Sequence, residues 1–375
     1  MKFGLRTYLS VYTHPAHGSG FSAWFRTLSQ NGFAVDFAFI PKVLFITITI
    51  VLAGPFRCYE WLRYNKRVRK VKVLPPVFIL GHPRSGTTFL HYLISKDPAF
   101  GYCTTVQAMV PHLFLSGTKI FSAILSRALP GNRPMDNLKM GTELPKEEEF
   151  AMALSGSESL VAGYYFPRRF LKNLKRYVCF EGGKSSDEQN WKFNYDYFLR
   201  KLSYVNPGKN LLMKSPGNTG RIKQLLELYP EARFVHISRN PFDVYQSNVH
   251  LYKKILPLFS FQHVKQEEVE AFVLEGYKVL LKKYLKDKEL IPPNKLVEIR
   301  YEEFVADPLT EMEKLYAKLG LGEFSKAKEY IAGELNDYKN YERNKFELSA
   351  IDKEKVSSHW KFAFDAFAYS VEIKL

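Results

Sequence analysis

Arg84, Ser85, Gly86, Thr87 and Thr88 stand in a glycine-bounded loop, GHPRSGTT, running from Gly81 to Thr88. A guanidinium, three hydroxyls and a row of backbone N–H groups just before a helix make an anion cradle, because the first amides of a helix have no intrahelical partner and its dipole end is positive. The loop nearly fits the phosphate-binding pattern G-x-x-x-x-G-K-[ST], but Thr87 fills the lysine position. That lysine normally reaches the β- and γ-phosphates. Its replacement argues against a nucleoside triphosphate and for a smaller anion, with Arg84 as the nearest cation.

A second constellation is ARFVHISRNPFDVYQS, Ala232 to Ser247. Arg239 ends an apolar run of strand character, and Ser247 follows inside the next helical stretch. A guanidinium can fork two N–H groups onto a phosphate and a serine hydroxyl can add a third bond. The competing use of Arg239 is an ion pair with Asp243 at the start of that helix. A third segment, LLMKSPGNTGRI, puts Lys214 at the end of another short apolar run, where it would stabilise developing negative charge or stand on the surface. A fourth, PKEEEF, offers Glu147, Glu148 and Glu149 as proton acceptors, with Glu149 leading into the apolar stretch Phe150–Leu154 and favoured over Glu148. Partial burial there would raise a carboxyl pKa; otherwise the three are an acidic first turn favoured by the helix dipole. His112 and His250 are weaker candidates for the same work.

The elements that must carry these residues are legible as alternating strands and helices. Val77–Leu80, Leu211–Lys214, Phe234–Ile237 and Leu296–Ile299 read as strands. Phe89 to Ile94, Thr219–Tyr229, Pro241–Leu251 and onward, and Pro308–Leu319 read as helices, and residues 99–130 as one or two more. Ser186 with Gln189 predicts a capping box opening a helix. Strands separated by helices predict an α/β fold: a P-loop-like parallel sheet flanked by helices, with right-handed crossovers. Both phosphate motifs then sit at the carboxyl ends of parallel strands, where such sheets bind ligands.

At this point PRSGTTFLH resembles the 5′-phosphosulfate loop of the sulfotransferases, which use 3′-phosphoadenosine 5′-phosphosulfate (PAPS). Arg239, Pro241 and Ser247 resemble their 3′-phosphate site. The resemblance runs over roughly residues 75–305 and is nearest to the membrane-associated bacterial-type subgroup. It implies that Arg84 to Thr88 hold the 5′-phosphosulfate and that Arg239 and Ser247 test for the 3′-phosphate that ATP lacks. It also implies that Lys214 neutralises charge during transfer, and that the PKEEEF block supplies the base. Relatives often carry histidine where this chain has Asn218. In YERNK, Tyr341 to Lys345, Arg343 is a further candidate for the 3′-phosphate, with a solvated charged turn as the alternative. RYEEF, Arg300 to Phe304, also matches, and Tyr301 is read as packing on the sheet. The expected reaction moves a sulfuryl group from PAPS to a lipophilic alcohol, a sterol, steroid or other lipid alcohol, with no metal. The rivals are a P-loop kinase acting on a small molecule and a noncatalytic membrane-bound nucleotide-binding protein.

The chain has 375 residues and a formal charge of +16. Residues 1–75 hold eleven Lys/Arg against Asp36 and Glu60 alone, so the charge is concentrated at the N-terminal end. Val43 to Phe56 is a run of fourteen uncharged, mostly apolar residues, shorter than the ~20 a spanning helix needs. After it come Arg57, Arg63, Lys66, Arg67, Arg69, Lys70 and Lys72, interleaved with Tyr59, Trp61 and Tyr64. An apolar plug, interfacial aromatics and a basic cluster resemble a monotopic anchor; a core helix with a solvated basic face is the alternative. The expected division is a membrane-associating segment, 1–72, and a catalytic domain, 73–375. No nucleic-acid recognition motif accompanies the charge. No secretory leader is recognisable, and three scattered cysteines suit a reducing compartment. The expected location is the cytoplasm, peripherally on the inner face of a membrane. Nothing in the sequence speaks to oligomeric state.

Overall fold

The computed structural model describes residues 14–128, 131, 139–337 and 348–371. Packing divides the chain into two units. One comprises the described residues up to Leu74, Tyr102–Lys209 and Leu251–Phe272; the other comprises Pro75–Gly101, Asn210–His250 and the described residues from Val273 onward.

The second unit is built on the sheet. Its strands are β1 (Val77–Leu80), β2 (Phe100–Tyr102), β3 (Asn210–Lys214), β4 (Arg233–Ser238) and β5 (Leu296–Arg300), in the order β2-β3-β1-β4-β5. β1 pairs in parallel with β3 and with β4, and β4 with β5. β1 is buried at all four positions, which is why it reads as an unbroken apolar run and not an alternating one. After β1 the chain forms β2 and β3 on one side of it and then crosses to β4 and β5 on the other. The carboxyl ends of β3, β1 and β4 therefore converge where the strand order reverses. On one face Val77, Ile79, Val235, Ile237 and Ile299 pack with Leu90 and Leu93 of helix Thr87–Ile94 and with Met312 and Leu315 of helix Pro308–Leu319. Each such fully buried side chain contributes about 1.5–3 kcal/mol.

The strand expectations hold to within a residue at each end, and β2 is an addition. At three residues, FGY, it is too short to show a period. The expected helix Thr219–Tyr229 is instead a 3-10 turn, Pro216–Gly220, followed by helix Ile222–Leu228. Thr219 is drawn out of the helix because its hydroxyl bonds Gly81.

The first unit is helical. Helix Ser185–Val205 begins one residue before the expected Ser186 cap. The N-cap is Lys184, which has no side-chain acceptor, so no capping box forms; Asp187, and not Gln189, reaches back to accept from the Lys184 N–H at 3.0 Å, its carboxylate also held by Arg176 Nε at 2.7 Å. The apolar run breaks into helices Ile40–Leu52 and Gly54–Arg69, bent by 42° at a junction marked by Gly54 and Pro55. No single helix among the described residues is long and apolar enough to cross a membrane. Helix Gly54–Arg69 is fastened by Glu60, whose carboxylate takes Lys201 Nζ at 2.7 Å and the Ser116 N–H at 2.9 Å. With both charges buried, removing either partner would cost about 3–5 kcal/mol.

Candidate active site

Two glycines shape the loop after β1. Gly81 has φ +146°, and a Cβ there would lie 2.7 Å from the Ile237 carbonyl. Gly86 has φ +97°, and its Cβ would lie 2.3 Å from the Tyr301 ring. Only glycine fits either place. Helix Thr87–Ile94 starts directly after Gly86, so its first amides face the loop. Arg84 is itself left-handed, φ +74°, which costs a non-glycine residue about 1–2 kcal/mol. The bonds around it hold that conformation. Arg84 Nε donates to Ser247 Oγ at 2.8 Å, and Arg239 Nη1 donates to the Arg84 carbonyl at 3.4 Å.

Helix Pro241–Phe259 braces the same loop. Asn248, fully buried, donates through Nδ2 to the Pro83 carbonyl at 2.9 Å and to the Val244 carbonyl at 2.7 Å. From the β3 side, Thr219 Oγ1 accepts from the Gly81 N–H at 2.8 Å and donates to the Gly81 carbonyl at 3.2 Å. Lys214, buried at the end of β3, donates to Thr88 Oγ1 at 3.3 Å. Hydrogen bonds thus join Arg84, Arg239 and Ser247 in one set and Lys214 and Thr88 in another, around three strand ends, with the buried Ser85 and Thr87 in the same stretch.

Arg239 makes the ion pair that its position suggested. Nη2 pairs with Asp243 at 3.0 Å, and the guanidinium stacks over Tyr301 with Cζ 4.6 Å from the ring centre. Its Nε is buried and has no hydrogen-bond partner among the described residues. A buried donor of this kind calls for an acceptor from outside the described residues. Together with the glycine cradle it fits a nucleotide phosphate.

The acidic block lies in the first unit. Glu147 is half-buried, while Glu148 and Glu149 are buried. Tyr195 donates its hydroxyl to Glu148 Oε1 at 2.9 Å. Glu149 Oε1 accepts from the Leu160 N–H at 2.7 Å and from Ser159 Oγ at 2.8 Å, tying down the entry to helix Val161–Tyr165. Burial, then Tyr252, Glu147 and Glu149, push the Tyr164 hydroxyl well above its ordinary range, so it stays protonated. His112 is held neutral by burial, its pKa lowered to about 4, and its Nε2 lies 3.1 Å from the Leu154 carbonyl. His250 is partly buried in helix Pro241–Phe259. Arg343 lies outside the described residues. No group of three or more His, Cys, Asp or Glu able to hold a metal ion occurs among the described residues.

Sequence reasoning did not single out Thr219 or Asn248 as loop partners. Neither carries a signature, since both act through backbone groups far away in the chain. Tyr301 is 9 % exposed and packs in the sheet core as read, but it also walls the loop at Gly86.

The sequence profile of the sulfotransferase family matches residues 75–325. The ω-hydroxy-β-dihydromenaquinone-9 sulfotransferase Stf3, from Mycobacterium bovis and from Mycobacterium tuberculosis, is 30% identical over 357 residues, covering 94% of this chain and 90% of that protein. Among solved structures, sulfotransferase STF9 from Mycobacterium avium superposes with a TM-score of 0.67 at 16% identity, over 94% of this chain and 97% of that one. Sulfotransferase STF1 from Mycobacterium tuberculosis gives 0.65 at 15% identity, over 96% and 93%.

Proposed function

The chain belongs to the sulfotransferase family, with PAPS as its sulfuryl donor, and we propose that its acceptor is the hydroxyl of a lipid alcohol. The observation that carries the acceptor reading is the relative at 30% identity across 94% of the chain, whose named acceptor is an ω-hydroxylated menaquinone. Family membership sets aside the kinase reading, in line with Thr87 at the lysine position. We place the enzyme in the cytoplasm on the inner face of a membrane, consistent with three cysteines that form no disulfide and with a lipid acceptor.

In this reading PAPS supplies an electrophilic sulfuryl group on a phosphate that leaves readily. Arg84, Ser85 and the amides and hydroxyls of Gly86, Thr87 and Thr88 hold its 5′ end. Arg239 and Ser247 hold the 3′-phosphate, and the buried Arg239 Nε, without a partner among the described residues, supports that role. Lys214, beside Thr88, neutralises negative charge at the bridging oxygen. A carboxylate of the acidic block takes the acceptor proton. The candidates are Glu148, which accepts from the Tyr195 hydroxyl, and Glu149, which accepts from Ser159 and the Leu160 N–H.

The test is transfer of labelled sulfate from PAPS to a panel of ω-hydroxylated isoprenoid quinones, polyprenols and sterols, with small phenols as controls. Turnover of a lipid alcohol at rates well above the phenols is expected. Efficient turnover of phenols alone would overturn the acceptor assignment.

A further inference from the structure

Helix Ile40–Leu52 is apolar on both sides, and its few polar residues bond to protein. Lys42, Ile46 and Ile50 are buried, and Lys42 donates to the Leu258 carbonyl at 2.8 Å. Thr47 accepts from Trp24 Nε1 at 2.9 Å, and Thr49 lies 2.6 Å from His17 Nδ1. The polar residues of the helix thus face protein. The outward stripe is Ile40, Leu44, Ile48, Val51 and Leu52, each between 40 and 68% exposed. A helix bathed in water places its side chains the other way round.

The stripe continues at both ends. Phe37 before it is 88% exposed, and Phe56, Trp61 and Leu62 on helix Gly54–Arg69 are 67, 53 and 68% exposed. Thirteen of the twenty-one large hydrophobic residues exposed among the described residues fall between Phe21 and Leu62. A concentration of this kind marks an interaction surface, whereas scattered exposed hydrophobics mark nothing.

Charge selects the occupant. Helix Gly54–Arg69 ends in Lys66, Arg67 and Arg69, all exposed, with Lys70 and Lys72 following. Between residues 37 and 74 the only carboxylate is Glu60, which is buried on Lys201. A second copy of the chain would bring like charges together. An anionic lipid surface would neutralise them and take up the apolar stripe.

We propose that helices Ile40–Leu52 and Gly54–Arg69 lie in the plane of an anionic bilayer. The aliphatic stripe and Trp61 enter the acyl boundary, and the basic end rests on the headgroups. The proposal rests on, and deepens, the reading of a membrane-held enzyme with a lipid acceptor. In-plane seating follows from the geometry. Thirteen residues make a helix of about 20 Å, against a hydrocarbon core of about 30 Å. One side of that helix is already occupied by protein, as a lipid-surrounded span would not be.

Trp61 gives a readout on the unaltered full-length chain. The chain has four tryptophans; Trp24, Trp191 and Trp360 are buried, at 2, 1 and 0% exposure. Vesicles of phosphatidylglycerol with phosphatidylcholine brominated on the acyl chain should quench Trp61 emission and shift it to the blue. Trp61→Phe should abolish the quenching. Leu44→Glu/Ile48→Glu, both on the exposed stripe, should lower vesicle affinity at least tenfold while leaving affinity for adenosine 3′,5′-bisphosphate unchanged. Wild-type protein that stays in the supernatant with phosphatidylglycerol vesicles at low salt, or binds without quenching, overturns the proposal. So does a wild-type dimer that the double variant dissolves and that ignores vesicles. Nucleotide affinity is read separately, so a failure of the sulfotransferase site would show there and leave the vesicle result standing.

Discussion

Ser247 Oγ accepts a hydrogen bond from Arg84 Nε at 2.8 Å across 163 residues of sequence. The bond couples the loop after β1 to the helix after β4, so the groups assigned to the two ends of the nucleotide are mechanically one site. Ser247→Ala should therefore weaken the 5′ side as well as the 3′ side. The expected outcome is loss of discrimination between adenosine 3′,5′-bisphosphate and AMP together with a raised KM for PAPS. Arg84→Ala should lower kcat by roughly 10²–10³, the usual cost of one lost charge-assisted contact to a developing anion. Steady-state kinetics decide it: an Arg84→Ala enzyme with unchanged kcat removes Arg84 from the reaction.

Arg239 should carry the choice of nucleotide. Its Nε is buried without a hydrogen-bond partner among the described residues, while Nη2 pairs with Asp243 and Nη1 with the Arg84 carbonyl. Arg239→Ala should cost on the order of 2–5 kcal/mol in binding of adenosine 3′,5′-bisphosphate, with little change for AMP. Calorimetry on both nucleotides checks this, and equal affinity of the wild type for the two would end the assignment of the 3′-phosphate site.

Thr219 is a positioning residue. Its hydroxyl meets both backbone groups of Gly81, and it is fully buried. Thr219→Val keeps the shape and leaves buried backbone polar groups unsatisfied, at about 1–3 kcal/mol. The expected result is a lower Tm and a raised KM for PAPS, with Thr219→Ser restoring both. A valine variant that loses Tm and keeps its KM would confine Thr219 to a structural role.

Much of this was open to a reader of the sequence, because backbone shape and phosphate binding leave local marks. Gly81 and Gly86 bracket a loop that only glycines allow, and β1 is an unbroken apolar run because neighbours cover both of its faces. What stayed hidden depends on distant partners. Nothing in GNTG shows that Thr219 will grip Gly81, and the first turn of helix Ser185–Val205 is held by Asp187, which Arg176 also reaches. The apolar run at Val43–Phe56 announced its composition, but its faces emerge only once Lys42 finds the Leu258 carbonyl. Similarly, nothing in PKEEEF shows that Tyr195 will reach Glu148 while Ser159 and Leu160 reach Glu149.

The two buried carboxylates can be separated by experiment. Glu148→Gln keeps the bond from Tyr195 and removes basicity, so kcat should fall by about 10²–10⁴ with nucleotide binding unchanged. Glu149→Gln should instead act on stability, because a carboxylate accepting two buried hydrogen bonds is replaced by a neutral amide. Paired measurements of kcat and Tm separate the two. Should Glu149→Gln lose kcat at full Tm, the base is Glu149; should neither variant lose kcat, the base lies outside this pair.

Acid should destabilise the fold through its buried histidines. Burial lowers the pKa of His82 and of His236 to about 3, against an ordinary 6.5. His112 follows at about 4. A histidine with a depressed folded pKa binds its proton more readily unfolded, so its contribution is complete above the unfolded value and is lost as pH falls below it. The window runs from 6.5 down to about 3 or 4, and each histidine forfeits on the order of 2 kcal/mol by about pH 5. Glu158 has the opposite sign, since burial raises its carboxyl, and it partly offsets the loss nearer its own range. His236 is the residue to test. Its ring stacks on Tyr284 at 3.8 Å, and neither nitrogen has a hydrogen-bond partner among the described residues. Phenylalanine can fill the place without titrating. In urea unfolding measured from neutral pH to about pH 5, His236→Phe should flatten the pH slope by about one proton's worth, 1.4 kcal/mol per pH unit. A variant whose slope matches the wild type would show that His236 is not a buried neutral group and that the acid sensitivity arises elsewhere.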